Sequence, residues 1–402
     1  MRTSPHPVLP EAPVPNPRLL GFASLDGLAT YGVEDLFEGC PCAAASGTAI
    51  SVAARYEGDV PWPPPPGCGL PRFGPRLPYL RGPSLGEGNT PLLPLPHLRG
   101  LGELWIKRES ANPTGSHKDR MSPLAVARAL QTGARGILAA SSGNAGLSAA
   151  AYAAAAGLAC RVIVTPALTD AYRRALLRHG AELVVCADSL ARWQVAARMV
   201  RKDGWFPLTN HLTPPVGSNP FGVEGYKTIA YELVEALGDA PDAVLVPTAR
   251  GDLIWGIGAG FAELQAQGVI ARRPRLVAIE PLPRLSRILA GKAAVTDSFS
   301  GSTRQFSTAG STVTAASLLA VQDSDGTALH VEDAAAEAAQ AALARLGHDA
   351  ELCSAGPYAA LPRLRESGFL QASDRVVLIL TAGSAREPAG APLPPLAVTQ
   401  PA

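Results

Sequence analysis

The segment "NPTGSHKDRMS", residues 112–122, places one lysine among small, polar and charged neighbours. A glycine and a serine come shortly before Lys118, His117 is adjacent to it, and Asp119 and Arg120 follow. Such a lysine is either an exposed amine in a polar turn or an amine held in place for chemistry. The segment alone leaves both interpretations open, so the other polar clusters of the chain must decide between them.

A second polar cluster, "ASSGNAG", follows the apolar run "GILAA" and opens an alanine-rich helical stretch. Its polar residues are Ser141, Ser142 and Asn144. Because the first N–H groups of a helix have no acceptor within the helix, this junction is suited to a carboxylate or another anion. An ordinary serine N-cap explains the same residues without any ligand.

Two further clusters follow the strand-like runs "AVLVP" and "VVLIL". The first predicts a phosphate site at a helix start, with the Arg250 side chain adding positive charge. Glycine and aspartate are common at strand–helix junctions, so this pattern alone is weak. In the second, Thr381 is either a turn former or a hydroxyl that faces a ligand. The predicted phosphate site comprises Thr248, Ala249, Arg250, Gly251, Asp252 and Leu253.

The elements between these clusters predict how they are positioned. From Pro83 onward, short apolar runs alternate with helical stretches that end at glycine, which predicts parallel sheets covered by helices. The carboxyl ends of parallel strands lie at one edge of a sheet, where ligands bind. Residues 1–82 are rich in proline and predict an irregular extension with one strand, "TAISVAARY".

Composition excludes several classes of protein. The chain has 402 residues, 47% of them hydrophobic and 17% charged, which is enough for two or three domains. The net charge is +1 and no charge block occurs, so we expect no nucleic-acid or membrane partner, only a small molecule or another copy of the chain. No signal-peptide core is present at the N-terminus, and the uncharged stretch 137–160 contains polar residues that lipid would leave unsatisfied. We therefore expect a cytoplasmic protein.

The six cysteines are scattered and predict no disulfide framework. Cys40 and Cys42 flank a proline, which is too tight for the usual spacing of metal ligands. Together with Cys68 they are either ordinary thiols or the remnant of a metal site. We expect no metal.

Taken together and in this order, the clusters resemble threonine synthases, members of the fold type II (tryptophan synthase beta-like) group of pyridoxal 5′-phosphate enzymes. The resemblance runs from about Arg72 to Pro388. The motifs that carry it are "SLGEGNTPLL", "IKRESANPTGSHKDRM", "ASSGNAGLSAAAYAAAAG", "NPFGVEGYKTIAYEL" and "VVLILTAGSAREP".

The resemblance implies an α/β fold with two doubly wound, mostly parallel, three-layer domains, and a homodimer. The implied boundaries are an extension at 1–82, a large cofactor-binding domain at 83–125 and 213–390, a small α/β domain at 126–212, and a flexible tail at 391–402.

The resemblance also implies a role for each cluster. Lys118 would form a Schiff base with pyridoxal 5′-phosphate, and the loop 248–253 would bind the cofactor phosphate. Ser141, Ser142 and Asn144 would bind the substrate carboxylate. Asn144 would also hydrogen-bond the phenolic oxygen of the cofactor.

Thr381 would face the pyridine nitrogen of the cofactor. A Schiff base makes the cofactor an electron sink, and the freed amine of Lys118 is then a general base and acid. A neutral threonine leaves the ring nitrogen largely unprotonated. We therefore predict elimination or replacement rather than transamination.

Four positions depart from the family pattern. In the stretch that corresponds to the family motif N-S-x-N-P-[FY]-R, Val216 and Gly217 replace the Asn-Ser pair and Gly222 replaces the arginine. Ala145 replaces the threonine of S-G-N-T, which faces the substrate. Losing an arginine–phosphate pair costs on the order of 1.5–3 kcal/mol.

Two explanations of these losses remain open. Another cation, from among Lys227, His211 and Arg250, could bind the phosphate of O-phosphohomoserine, or the substrate is a different amino acid. We favour the second. The loop 248–253 is also one residue shorter than the family's, and the charge of Arg250 would compensate for the lost amide.

The leading hypothesis is thus a lyase or synthase that performs β- or γ-elimination or replacement on an amino acid. An ammonia-lyase of the serine/threonine dehydratase type is the alternative, since it needs no substrate phosphate. A non-catalytic paralogue that binds cofactor or an amino acid is a third hypothesis, and the retained Lys118 argues against it.

Overall fold

The computed structural model of the chain describes residues 12–95 and 101–388. Strands and helices alternate along most of it, as predicted. In chain order the strands are β1 (Val14–Pro15), β2 (Leu19–Ser24), β3 (Thr30–Tyr31), β4 (Val52–Tyr56), β5 (Tyr79–Arg81), β6 (Leu92–Pro94), β7 (Glu103–Arg108), β8 (Gly136–Ala140), β9 (Ala159–Val164), β10 (Glu182–Val185), β11 (Phe206–Pro207), β12 (Ala243–Pro247), β13 (Arg275–Glu280), β14 (Thr327–His330) and β15 (Arg375–Leu380).

The α-helices are α1 (Pro41–Ala45), α2 (Ser122–Gln131), α3 (Asn144–Ala155), α4 (Asp170–Arg178), α5 (Ser189–Asp203), α6 (Pro220–Val223), α7 (Lys227–Leu237), α8 (Asp252–Ala266), α9 (Leu285–Leu289), α10 (Ala315–Gln322), α11 (Asp333–Arg345) and α12 (Leu352–Glu366).

Two parallel sheets form the body of the protein. A four-stranded sheet has the order β10–β9–β8–β11 and is parallel throughout. A six-stranded sheet has the order β14–β13–β12–β15–β7–β6, in which only the edge strand β6 is antiparallel to its neighbour. Every residue of β8 and β12 is buried, as expected for strands covered on both faces. The predicted α/β class with parallel sheets is confirmed.

The N-terminal extension is more regular than its proline content predicted. Strand β2 pairs in antiparallel fashion with β3 and β4, and β1 pairs with β5. Apolar side chains of this small sheet pack on the body, with the Phe22 ring centroid 4.9 Å from that of Phe221. The predicted strand "TAISVAARY" contains β4, whereas the expectation of an irregular segment is wrong for residues 19–31. The proline cluster lies after these strands, at 61–66, and does not interrupt them.

Helices α5 and α12 were not among the elements predicted from the sequence. Pro357 and Pro362 lie inside α12, and proline is normally read as the end of a helix. Burial compensates, because Pro357 and its neighbours pack on the six-stranded sheet.

No helix in residues 12–95 or 101–388 is long and apolar enough to cross a bilayer. The predicted tail at 391–402 lies outside the described residues. Cys40 is buried with its Sγ 3.2 Å from the Tyr31 hydroxyl, and Cys42 and Cys68 are exposed. Within the described ranges no group of three or more His, Cys, Asp or Glu residues is arranged to hold a metal ion.

Candidate active site

Lys118 lies in a short 3-10 turn, His117–Arg120, at the carboxyl edge of the six-stranded sheet. The chain reaches this turn directly from β7, which pairs with β15. The backbone N–H of His117 donates to the Thr381 carbonyl at 2.9 Å, and Ser116 forms a bridge with Ala382. The turn is thereby fixed to the end of β15, and this places Lys118 and Thr381 side by side.

The Lys118 amine lies beside the aromatic ring of Tyr226. Its Nζ donates to the Tyr226 hydroxyl at 3.2 Å. Burial lowers the pKa of Lys118 below its ordinary value, and the Arg250 charge acts in the same direction, while Asp252 and Glu351 oppose the shift. Burial also raises the pKa of Tyr226 well above its ordinary value, so that its hydroxyl stays protonated. A larger share of the Lys118 amine is therefore unprotonated at neutral pH than for an exposed lysine.

The junction between β8 and α3 presents free backbone amides. Gly143 is the N-cap of α3 and supplies no side chain for capping. Within the described chain, the N–H groups of Ser142, Asn144 and Ala145 have no hydrogen-bond acceptor. The Ser142 hydroxyl is turned toward Thr165, whose N–H donates to it at 3.0 Å. These amides match the donor set that a substrate carboxylate requires.

The junction between β12 and α8 forms a second cradle. Gly251 has φ +98° and is the N-cap of α8, and a Cβ built on it would lie 2.1 Å from the Ser317 Cβ. Side chains from outside the loop bind its carbonyl groups. Arg284 Nη2 donates to the Thr248 carbonyl, and the Thr314 hydroxyl donates to the Arg250 carbonyl. The N–H groups of residues 249–253 find no acceptor among the described residues. Five unpaired amides at a helix start are well suited to a phosphate.

Thr381 ends β15 and contacts a carboxylate that the sequence analysis missed. The Thr381 hydroxyl lies 2.5 Å from the Ser354 hydroxyl and 3.1 Å from Glu351 Oε1. Asn144 Nδ2 donates to Glu351 Oε2 at 3.3 Å, while the Tyr172 hydroxyl donates to Asn144 Oδ1 at 2.6 Å. Glu351 therefore joins the Thr381 side of the site to Asn144. The one sequence signal for Glu351 was its place as an acidic residue just before a helix. That helix, α12, was not predicted because it contains two prolines.

The predicted site residues and Glu351 line one cavity of about 410 Å³, a volume typical of small-ligand sites. Its position between the two sheets brings every predicted site residue together, although their individual roles stay predictions. They are Lys118, Ser141, Ser142, Asn144, Ala145, Thr248, Ala249, Arg250, Gly251, Asp252, Leu253 and Thr381.

Other side chains of the protein lie beside Gly217 and Gly222, two positions that depart from the family pattern. The Asp252 carboxylate accepts from the Ser218 N–H at 3.1 Å and from its hydroxyl at 2.7 Å, and a Cβ on Gly217 would lie 3.0 Å from Asp252 Oδ1. A Cβ on Gly222 would lie 2.7 Å from Met121 Cγ. A carboxylate therefore stands beside Gly217, and Met121 fills the space beside Gly222.

Two of the three cations considered as phosphate ligands do not reach the cavity. Lys227 Nζ is buried between Glu224 at 2.7 Å and Glu263 at 3.1 Å. His211 does not line the cavity, and its pKa is lowered by burial, which favours the neutral ring. The suggestion of Lys227 or His211 is wrong because each is directed elsewhere, and Arg250 alone of the three lines the site.

The residues present fit pyridoxal 5′-phosphate. The unpaired amides at 249–253 supply a phosphate cradle, and the Lys118 amine lies on the same cavity wall as the Thr381 hydroxyl. These are the residues that would hold the cofactor.

Comparison with known proteins agrees with this fit. A model of the family described as "Pyridoxal-phosphate dependent enzyme" matches residues 83–382. Threonine synthase of Mycobacterium leprae (strain TN) is 32% identical over 309 residues, which cover 76% of this chain and 84% of that protein.

Solved structures share the fold at lower identity. A fungal L-serine ammonia-lyase from Rhizomucor miehei has a TM-score of 0.63 at 21% identity and covers 74% of this chain and 94% of that chain. The processed form of threonine deaminase isoform 2 from Solanum lycopersicum has a TM-score of 0.59 at 18% identity, covering 71% and 75%. The resemblance predicted from the motifs is confirmed, and the chain belongs to the pyridoxal-phosphate dependent enzyme family as a threonine synthase-like member.

Proposed function

We propose that this enzyme catalyses β- or γ-elimination or replacement on an amino acid other than O-phosphohomoserine. The observation that carries the proposal is the Asp252 carboxylate, which is hydrogen-bonded to Ser218 beside Gly217. A carboxylate at this position repels a substrate phosphate, and two like charges 4 Å apart interact by about 4 kcal/mol at an effective dielectric constant of 20.

Each part of the site has a role in this proposal. Lys118 would hold the cofactor covalently, and the cofactor would supply an electron sink for charge that develops at the substrate Cα. The amides of Ser142, Asn144 and Ala145 bind and orient the substrate carboxylate. The Lys118 amine takes the Cα proton and returns one, and its lowered pKa supports the role of a base at neutral pH.

Thr381 would offer a hydroxyl rather than a carboxylate to the ring nitrogen of the cofactor. This favours expulsion of a leaving group over transamination, provided that Glu351 stays engaged with Asn144 and Ser307, whose hydroxyl donates to it at 2.7 Å. Glu351 then positions Asn144 and Thr381.

An ammonia-lyase of the serine/threonine dehydratase type is the alternative. The same Asp252 carboxylate supports it, because that reaction requires no substrate phosphate. We also infer a cytoplasmic homodimer with a large domain at 83–125 and 213–390 and a small domain at 126–212. The grouping of β8–β11 in one sheet and of β6, β7 and β12–β15 in the other supports this division.

Product analysis of the purified holoenzyme tests the proposal. O-phosphohomoserine, serine, threonine and a panel of amino acids with other leaving groups are each incubated with enzyme. We expect elimination or replacement products from a non-phosphorylated member of the panel. Ammonia and a 2-keto acid from serine or threonine would favour the alternative. Orthophosphate release with threonine formation at ordinary enzyme rates would overturn the substrate assignment.

A further inference from the structure

Two guanidinium groups line the cavity without a carboxylate partner. Arg192 comes from α5 and Arg250 from the loop before α8. Within the described chain neither has a carboxylate oxygen within 4 Å, and neither side chain donates a hydrogen bond. The Nε atom of Arg192 is buried and has no acceptor. Both residues are half-buried in the cavity wall, where water screens a charge less than at an open surface, so a ligand that supplies negative charge would stabilise them.

The Arg250 side chain is held against the small domain. Its guanidinium carbon lies 5.2 Å from the centre of the Trp193 ring, a cation–π contact across the cavity wall. The backbone of Arg250 contributes to the phosphate cradle, while its guanidinium group contacts Trp193 of α5.

Arg192 lies in the first turn of α5, where the helix dipole disfavours a cation. Burial, reinforced by the nearby Arg250 charge, lowers the pKa of Arg192 to about 10. The side chain is still positively charged at neutral pH. Partial burial, the dipole of α5 and the charge of Arg250 thus all disfavour the positive charge of Arg192 in the ligand-free protein. A bound anion offsets these unfavourable interactions by its attraction to the guanidinium group.

Asp252 is the acidic neighbour of this pair. Its carboxylate lines the same cavity, accepts from the Ser218 hydroxyl, and opposes the lowering of the Arg250 pKa by burial. A bound carboxylate brings less negative charge toward Asp252 than a phosphate dianion does, so this neighbourhood favours a carboxylate. Another cation of the cavity wall, Arg386, lies beside Gly115 on the Lys118 loop.

We propose that Arg192 and Arg250 form a subsite for a carboxylate at the end of the substrate side chain. The substrate class is then an amino acid with a second, distal carboxylate, or a leaving group that carries one. This inference rests on the proposed function, since it concerns the substrate of the same cavity. A planar carboxylate also matches the forked geometry of a guanidinium group.

Calorimetric titration of the holoenzyme with matched ligands tests the subsite. L-glutamate and L-glutamine have the same length and differ in charge, and L-aspartate and L-asparagine repeat the comparison with one methylene less. We expect the acid of at least one pair to bind about 10-fold or more tighter than its amide. Arg192→Gln should reduce this preference to less than threefold, and Arg192→Lys should retain part of it.

Arg198→Gln is the matched control, because Arg198 lies on the same helix and is exposed. It should keep the full preference, and thermal melting of each variant shows that it is folded. Equal binding of acid and amide in both pairs by the wild type would overturn the proposal. So would an Arg192→Gln variant that weakens acid and amide equally, or one that loses mainly cofactor affinity. Tighter binding of O-phosphohomoserine than of either acid would reject a carboxylate as the ligand.

A second pair of ligands separates this test from the proposed function. Glutarate and its monoamide have no amino group, so their binding does not depend on the Lys118 chemistry. A preference for glutarate that disappears in Arg192→Gln supports the subsite even if no amino acid reacts. Elimination products without any preference for the distal carboxylate would leave the proposed function standing and reject the subsite.

Discussion

The lysine side of the cavity and its substrate end differ in how their polar groups are satisfied. On the lysine side, comprising Lys118, Asn144, Glu351 and Thr381, every side chain has a protein hydrogen-bond partner. At the substrate end, comprising Gly217, Ser218, Asp252, Arg192 and Arg250, the Asp252 carboxylate accepts from Ser218, whereas neither guanidinium group has a carboxylate partner among residues 12–95 and 101–388.

This difference follows from what each side has to bind. A cofactor is the same in every reaction of a family, so the side chains that hold it can be pre-organised by protein contacts, although the amides at 249–253 still require its phosphate as their acceptor. The substrate brings its own charges, and the groups that recognise it are satisfied only when it is bound. Unsatisfied cations therefore mark the part of the cavity that determines specificity.

Lys118→Ala gives the largest expected effect and tests the lysine side. Loss of both the covalent attachment and the base should lower kcat by about 10³-fold or more. The absorption band of the bound cofactor should also change, which provides a readout besides activity. Lys292→Ala, at an exposed lysine, is the control and should leave both unchanged. A Lys118→Ala variant with an unaltered band would show that the cofactor is attached elsewhere.

Asp119 tests how the turn that carries Lys118 is stabilised. Its carboxylate accepts from the Thr114 N–H and hydroxyl at 2.6 Å, yet burial raises its pKa to about 6. The folded state thus binds a proton more tightly than the unfolded state. The resulting stabilisation is complete below pH 3.8 and is lost as the pH rises through 6.

The expected size of this loss is about 3 kcal/mol of unfolding free energy. Denaturant unfolding of the wild type and of Asp119→Asn, measured from pH 4 to pH 7, isolates the contribution of Asp119. The other titratable groups are the same in both proteins, so their effects cancel in the difference. The stability advantage of the wild type over the variant should shrink as the pH rises. A difference that stays constant would mean that Asp119 is ionised throughout.

Asp252→Asn gives the smallest expected effect and tests the substrate end. Removal of the negative charge beside Gly217 should raise the affinity for O-phosphohomoserine by about fivefold to tenfold, since solvent screens part of the repulsion. The affinity for homoserine, which has no phosphate, should change less. Asp323→Asn, at an exposed position, serves as the control. An unchanged ratio of the two affinities would show that Asp252 does not oppose a phosphate.

The lysine side could be predicted from the sequence, and the substrate end only in part. Lys118, the amides near Asn144, and Thr381 each follow a strand, and parallel strands bring their carboxyl ends to one edge. The sequence shows that the family's polar side chains are missing at Gly217 and Gly222. It does not show which other side chains lie beside these glycines. Met121 beside Gly222 and Asp252 beside Gly217 are contacts between residues far apart in the chain.

Arg192 and Glu351 were missed for local reasons. Helix α5, which carries Arg192, begins at the N-cap Asp188 and ends at Gly204, two signals that were overlooked. Helix α12 follows Glu351 and contains two prolines, which normally indicate the end of a helix. The antiparallel sheet of the extension was missed because the prolines at 61–66 dominate the composition of a segment whose strands lie elsewhere.

The central claim is that the lysine side matches the threonine synthase pattern while the substrate end departs from it. The most direct test compares the affinities of the holoenzyme for O-phosphohomoserine and for homoserine. Both ligands are titrated against the absorption band of the bound cofactor, and their dissociation constants are compared. Because the Asp252 carboxylate lies beside Gly217, a position of the stretch that corresponds to the family's phosphate motif, the account predicts that the phosphorylated ligand binds no more tightly than homoserine. Binding of O-phosphohomoserine at least tenfold tighter than homoserine would contradict it.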